Sequence, residues 1–360
     1  MGTKLLYGTK KVPQGEAMEN KLTTLEKIIP DGMNLFKKRY NLLQAILENE
    51  PIGRRALTSF TAYSERVIRS EIEILHRQGF IEISSKGMSL SPEGKILMQE
   101  LYALNQELED TADLEKALEK KLELEKAIII KGDIDRIGTI NWGLSSAGAS
   151  LLQSVLQENY TIAVTGGTTI YKMVKAMPMQ KTKFKNITVV PARGSIGEKV
   201  EFQANTIAVQ LAEKLHASYE LLNIPDNLSQ SSIESIQKEP HFKNTLEKVN
   251  GSDVVIFGLG NALKMAKRRK ESKEILRVLE EKEAIAEVFR YYFNKKGEVV
   301  HKAKNIGLSL EKAKQVPIRI AVAGGKSKAE AIIAVREILK GSYFILDECA
   351  EKEIVKISIH

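Results

Sequence analysis

The sequence predicts an α/β protein: a small N-terminal winged helix-turn-helix, followed by a larger domain on a mostly parallel sheet. Three observations carry that expectation. The first third reads as helices closed by a hairpin, the rest alternates β-branched runs with amphipathic helices, and four of those runs end in glycine-rich turns. A length of 360 residues accommodates one small and one large domain.

Residues 1–17 have no apolar stretch of the secretory kind and precede a second methionine, Met18, so they read as a leader or alternative start. The winged helix is placed at 18–104. From Met33 to Asn49, Leu35, Phe36, Leu42, Leu43, Ile46 and Leu47 recur at three- and four-residue steps on one helix face, and Pro51 ends the segment. A second helix over Arg54 to Phe60 breaks at Thr61-Ala62-Tyr63, and a third over Ser64 to Gln78 stops at Gly79. In that third helix Val67, Ile68, Ile72 and Leu75 face inward, which leaves Ser64, Glu65, Arg66, Arg69, Ser70 and Glu73 outward. Phe80 to Ser84 alternates apolar and polar, Ser85-Lys86-Gly87 turns, and Met88-Ser89-Leu90 returns as a wing. Ser91 then caps a further helix that opens on Pro92.

The outward face suits DNA, because a guanidinium donates two hydrogen bonds to a guanine edge or clamps a phosphate. Arg66 and Arg69 are candidates for base or phosphate contact, with Ser64 and Glu65 beside them. Arg54 and Arg55 are placed for the DNA backbone, and Lys86 sits at the wing tip. A helical module for protein contacts, its charges merely solvated, is the competing reading. Charge alone does not decide: residues 18–104 hold 12 basic and 11 acidic side chains, whereas the +8 surplus of the chain lies in the large domain.

Residues 105–125 read as a helical linker. Leu97, Leu101, Leu104 and Leu108 make a short seam that either pairs two chains or packs on its own domain.

The large domain is placed at 126–360. Thr161–Thr165 leads into Gly166-Gly167-Thr168-Thr169, and Ile187–Val190 into Pro191-Ala192-Arg193-Gly194. Val254–Phe257 leads into Gly258-Leu259-Gly260-Asn261, and Ile318–Ala323 into Gly324-Gly325-Lys326-Ser327-Lys328. Ligands of open α/β sheets bind beyond the carboxyl ends of the strands, so these four turns are expected to gather there. Glycines admit an anion to the backbone, helix N-termini aim N–H groups at it, and Thr168, Thr169 and Ser327 add hydroxyls. Arg193 and the run Lys264, Lys267, Arg268, Arg269, Lys270 supply cations for a second phosphate, while Glu287 is placed to accept sugar hydroxyls. Neither a P-loop nor a dinucleotide fingerprint is complete, since Ile320 and Leu263 stand where each needs a glycine.

Nothing reaches the roughly 20 apolar residues of a membrane-spanning helix, so no membrane partner is expected. The lone Cys349 excludes an internal disulfide and fits a cytoplasmic protein. No metal cluster or acid–base constellation stands out, because His216, His241 and His301 are isolated.

Taken together, Ile52-Gly53-Arg54-Arg55, Ser64-Glu65-Arg66-Val67, Val164 to Thr169, Pro191 to Gly194, Gln203 to Thr206, Met265 to Arg269, Tyr291 to Asn294 and Gly324 to Ala331 resemble the SorC family of sugar-responsive transcriptional repressors of Gram-positive bacteria, in particular its regulators of glycolytic genes. The resemblance runs from about Met18 to the C-terminus. It implies a homo-oligomeric repressor, dimer or tetramer, of a glycolytic operon. Fructose 1,6-bisphosphate or a related sugar phosphate would release it from double-stranded operator DNA, with no cofactor. It further implies an effector domain related to sugar-phosphate isomerases and deaminases but without their activity; an enzyme of that kind carrying a DNA-binding appendage is the alternative. By position, Thr168, Thr169, Arg193, Arg268, Glu287 and Lys328 correspond to effector contacts, joined by Gly167, Gln203, Gly260, Gly325, Lys326 and Ser327. Lys326 stands where the family has a serine and Arg290 where it has a glycine.

Overall fold

The computed structural model describes residues 27–108, 111–132, 134, 140–179, 185–194, 199–224, 230–236, 238–303 and 306–357. The segment read as a leader, residues 1–17, lies outside them. Helices α1 (Pro30–Asn49), α2 (Arg54–Phe60) and α3 (Glu65–Arg77) precede an antiparallel wing of β1 (Ile81–Ser84) and β2 (Gly87–Leu90), then α4 (Pro92–Leu108). Local chemistry sets these boundaries. Ser64 accepts the Val67 N–H at the head of α3, Ser91 accepts the Gly94 N–H at 2.9 Å at the head of α4, and Gly79 leaves α3 at φ +83°.

The inward face of α3 buries Ile68, Ile72 and Leu75 as the periodicity predicts, with Val67 only half-buried. It also buries a charge. Glu71 sits between Lys38 Nζ and Arg39 Nε of α1, each at 2.9 Å. Burial pushes its carboxyl up, but the hydrogen bonds and charges of Arg39 and Lys38 outweigh this and hold it below the usual carboxylate range. A buried ion pair thus fixes the rotation of α3 against α1.

Within the segment expected as a helical linker, α5 (Ala112–Leu122) packs on the large domain: Leu118 and Leu122 are buried in its core, and Lys121 Nζ donates to the carbonyls of Val355 and Ile357 at 2.8 Å. The boundary expected after residue 104 falls inside α4.

Seven parallel strands follow in the order β3-β13-β12-β7-β4-β5-β6, comprising β3 (Lys126–Ile130), β4 (Thr161–Val164), β5 (Thr188–Pro191), β6 (Ser218–Tyr219), β7 (Val254–Gly258), β12 (Ile318–Val322) and β13 (Tyr343–Asp347). A small antiparallel sheet, β8 (Gly260–Asn261), β9 (Ala286–Val288), β10 (Tyr291–Phe293) and β11 (Val299–Lys302), adjoins it with α11 (Ala262–Arg268) and α12 (Lys273–Glu281). Successive strand residues point to opposite faces, and both faces are covered, which is why the strands read as continuous apolar runs. Ile162, Val164, Ile256 and Ile320 pack under α6 (Ile140–Val155), α7 (Thr168–Ala176) and α8 (Ala204–Leu215). Ala163, Val255, Phe257 and Phe344 pack on the other face, under α5, α10 (Pro240–Asn250), α13 (Leu310–Gln315), α14 (Ala329–Ala334), α15 (Arg336–Leu339) and α16 (Glu348–Lys356). The remaining helix, α9 (Gln230–Ile236), follows β6. No helix among the described residues is long and apolar enough to cross a membrane.

One apolar cluster runs from Leu42, Ile46 and Met98 of the winged helix into Trp142 and Leu152 of α6, with Leu97 and Leu101 half-buried against it. The first half of the leucine seam therefore packs within its own chain; the side chains of Leu104 and Leu108 lie outside the described part. At this junction Glu48 of α1 accepts the Trp142 N–H. Burial drives its pKa up to about 7, against the lowering effect of that hydrogen bond and of the Lys172 charge. The unfolded chain ionises such a carboxyl first, so Glu48 is innocuous below its ordinary value of 4.5 and destabilises increasingly as pH rises toward 7. Glu48→Gln is expected to raise stability at pH 8 by at most about 3 kcal/mol and to add nothing below about pH 4. Urea unfolding of both proteins at the two pH values checks this, and equal midpoints at pH 8 would count against it.

Candidate functional site

Strand order reverses between β4 and β7, where the chain leaves one side of the sheet and resumes on the other. The helices after these strands diverge at that point and leave a crevice. The four glycine-rich turns belong to β12, β7, β4 and β5, which are consecutive in the sheet, so all four meet at one edge. They enclose a cavity of about 250 Å³.

The β4 turn forms its floor. Gly167 adopts φ +121° and ψ 159°, a conformation open only to glycine, and its N–H donates to the Phe202 carbonyl at 2.8 Å. Helix α7 starts at Thr168 with no side chain capping it, so Thr168 and Thr169 present hydroxyls and first-turn amides to the cavity. Two guanidiniums flank this turn. A Cβ built on Gly166 would lie 2.7 Å from Arg193 Nη2, and one on Gly167 would lie 3.9 Å from Arg268 Nη2. The Arg193 turn is itself locked from far along the chain: Leu308 N–H donates to the Ala192 carbonyl at 2.9 Å, and Gly194 N–H to that of Ile306 at 3.0 Å. On α11, Asn261 caps by accepting the Lys264 N–H, and Lys264 and Arg268, one turn apart, both line the cavity. Gly260, Ser327 and Lys328 line it too.

Glu287 lines the cavity, but its carboxylate is already engaged. Arg269 Nη2 donates to Oε2 at 3.1 Å, Arg269 Nη1 lies 2.9 Å from Oε1 in ionic contact without hydrogen-bond alignment, and the Arg290 N–H donates to Oε1 at 2.8 Å. Burial pushes this carboxyl up; the charge and hydrogen bond of Arg269, then the charge of Arg193, win and hold it below the usual range. Glu287 is therefore an ionised anchor for Arg269, and a sugar hydroxyl would have to share it. Arg290 reaches Glu271 at 3.2 Å and occupies, with Phe289, a two-residue hairpin turn at φ +70° and +49°. Such a turn needs left-handed backbone at both positions, which accounts for a glycine being the easier residue there.

Three expected residues do not line the cavity. Lys326 turns outward to Glu353 at 3.3 Å, and the Gly325 N–H is taken by Asp347 at 2.7 Å. Gln203 precedes α8 behind the β4 turn. Arg269, Arg290 and Asp347 are the residues not anticipated in these roles; a lone acid ending a strand carries no signal of the turn it pins.

On the winged helix, Arg54, Arg55, Ser64, Glu65, Arg66, Arg69 and Lys86 are all exposed, from the head of α2, the head of α3 and the wing tip. Arg69 pairs with Glu73 at 3.3 Å within α3. Arg66→Ala is expected to weaken duplex binding by about tenfold, within the range for a lost base or phosphate contact. A fluorescence-anisotropy titration at fixed salt checks this, and unchanged affinity would count against α3 as the reading helix.

Comparisons with known proteins agree in two parts. A family described as the CggR N-terminal DNA binding domain matches residues 35–104, and one described as a putative sugar-binding domain matches residues 106–356. The chain is 38% identical over 340 residues to the central glycolytic genes regulator of Priestia megaterium, covering 94% of this chain and 99% of that protein. Its counterpart in Bacillus subtilis is 38% identical over 339 residues, with the same coverage of 94% and 99%. A structure of a putative SorC family transcriptional regulator from Enterococcus faecalis aligns with a TM-score of 0.63 at 35% identity, covering 68% of this chain and 100% of the other. The full-length sorbitol operon regulator SorC from Klebsiella pneumoniae has the same fold, with a TM-score of 0.63 at 16% identity, covering 94% and 100%.

Proposed function

Because this chain belongs to the SorC family of transcriptional regulators, in its branch of central glycolytic genes regulators, we propose that it represses a glycolytic operon and that fructose 1,6-bisphosphate in the cavity lowers its affinity for the operator. The chain is a DNA-binding transcriptional regulator, not an enzyme. The observation that carries the effector reading is the convergence of Arg193 and Arg268 on the Gly166–Thr169 turn. Backbone amides, hydroxyls and guanidiniums aimed at one point make a phosphate subsite. Lys264, on α11, and Ser327 and Lys328, beyond β12, are candidates for a second subsite. Arg193, Lys264, Arg268 and Lys328 place cationic side chains around the cavity, the residue type that two dianionic phosphates call for.

An effector displaces an equilibrium only by preferring one of its states, so the ligand must bind the weak-binding arrangement of the protein more tightly. The test uses a duplex enriched from random-sequence DNA by the full-length protein. Its affinity is measured alone and with fructose 1,6-bisphosphate, fructose 6-phosphate and inorganic phosphate. The bisphosphate should weaken binding at concentrations where the other two do nothing. An equal response to all three, or none to any, would reject the bisphosphate.

A further inference from the structure

The turn after β12 is fastened from outside the cavity. Strand β12 ends at Val322, and the residues that follow bring Ser327 and Lys328 to the cavity wall. Asp347, the last residue of β13 and buried, reaches this turn with one carboxylate oxygen: the Gly325 N–H donates to Oδ1 at 2.7 Å. Its other oxygen, Oδ2, accepts the Ile134 N–H at 2.9 Å, from the segment beyond β3. Asp347 does not itself line the cavity.

The direction of this carboxylate is informative. Asp347 holds the N-cap position of α16 with extended backbone, where an aspartate ordinarily accepts a first-turn N–H of its own helix. Here the side chain caps nothing on α16 and turns both oxygens to other segments. The turn is shaped to receive it. Gly325 stands at φ +102°, and a Cβ built on Gly324 would lie 3.0 Å from Asp347 Oδ1 and 2.9 Å from Leu144 Cδ1 of α6, so a larger residue at 324 would push the turn off the carboxylate. The turn's other link to α16, Lys326 to Glu353 at 3.3 Å, has an exposed lysine and holds little, so the buried bond sets the position. Position matters because residues 326–328 form one tight 3-10 turn, in which successive side chains leave about 120° apart. Where Gly325 is held therefore decides which of the three faces the cavity.

We propose that Asp347 is the positioning residue of the second phosphate subsite: its carboxylate holds the β12 turn so that Ser327 and Lys328, rather than Lys326, meet the bound sugar bisphosphate. This rests on the reading of the cavity as a sugar bisphosphate site. Asp347 acts through the turn and touches no ligand, so its loss should matter only as far as the turn's own side chains do.

The test is a double-mutant cycle on the full-length protein, with fructose 1,6-bisphosphate binding read by calorimetry and folding by circular dichroism. Asp347→Asn keeps one acceptor for two N–H groups, and Lys328→Met removes the cation; each should weaken binding by about tenfold. Together they should weaken it by little more than either alone, whereas independent losses would multiply to about a hundredfold. Should Asp347→Asn fail to fold, Gly324→Ala displaces the same turn with the carboxylate intact and should show the same non-additivity with Lys328→Met. An Asp347→Asn protein that binds within about twofold of wild type, a multiplicative double variant, or a Lys328→Met protein that binds normally overturns the positioning role and leaves the effector reading standing. A wild-type protein that does not bind the bisphosphate overturns both.

Discussion

Arg269→Ala is expected to destabilise the large domain by about 3–5 kcal/mol, the usual effect of stripping a buried carboxylate of its partner. Glu287 is 3% exposed, so little water reaches its carboxylate to replace the lost guanidinium. The variant therefore either protonates Glu287 or opens the site. Arg269→Ala combined with Glu287→Gln should recover much of the loss, because a neutral amide is far less costly to leave in place. The pH dependence has a defined sign. The folded-state pKa of Glu287 is depressed, so the stability it contributes is present above the ordinary carboxylate value and disappears as pH falls through the depressed one. The gap between wild type and Arg269→Ala should accordingly narrow in acid. Urea titrations at pH 7 and pH 4 decide it; a loss below about 1 kcal/mol at pH 7 would mark the pair as an ordinary solvated one.

Thr168→Val with Thr169→Val is expected to weaken binding of fructose 1,6-bisphosphate by about a hundredfold, from two lost hydrogen bonds to a charged group at about 1.5 kcal/mol each. The first-turn amides of α7 survive the substitution, so residual binding should remain. Both threonines lie at the cavity, so DNA affinity without the sugar should be unchanged. Calorimetry and anisotropy on the same preparation separate the two effects. A double variant that still releases DNA at the wild-type concentration of sugar would place the phosphate elsewhere.

The winged helix was legible because its stop signals are local: Ser64, Ser91 and Gly79 act within four residues of where they stand. The gathering of the four turns was legible for a topological reason, since parallel strands place all their carboxyl ends along one edge. What escaped was pairing over distance. Glu71 belongs to the inward face of α3 only because Lys38 and Arg39 wait there on another helix, and periodicity alone assigns a glutamate to solvent. Glu287 looked open to a ligand until Arg269, 18 residues earlier, was seen on it. Lys326 points away because residues 326–328 form a single tight turn, in which neighbouring side chains leave in different directions. The same holds between 105 and 125: eight acids there look solvated, yet Glu115 and Glu119 accept the N–H groups of Ile129 and Ala127.

The cradle around Arg193 closes only when residues 306–308 bind back to the Ala192 turn, and Ser327 and Lys328 come later still. The DNA reader, by contrast, is drawn from one unbroken stretch near the start of the chain. During synthesis the winged helix emerges from the ribosome long before the cavity can close. A chain cut short after the helix that follows β7 would carry every residue of the winged helix and lack the strands and turns that close the cavity.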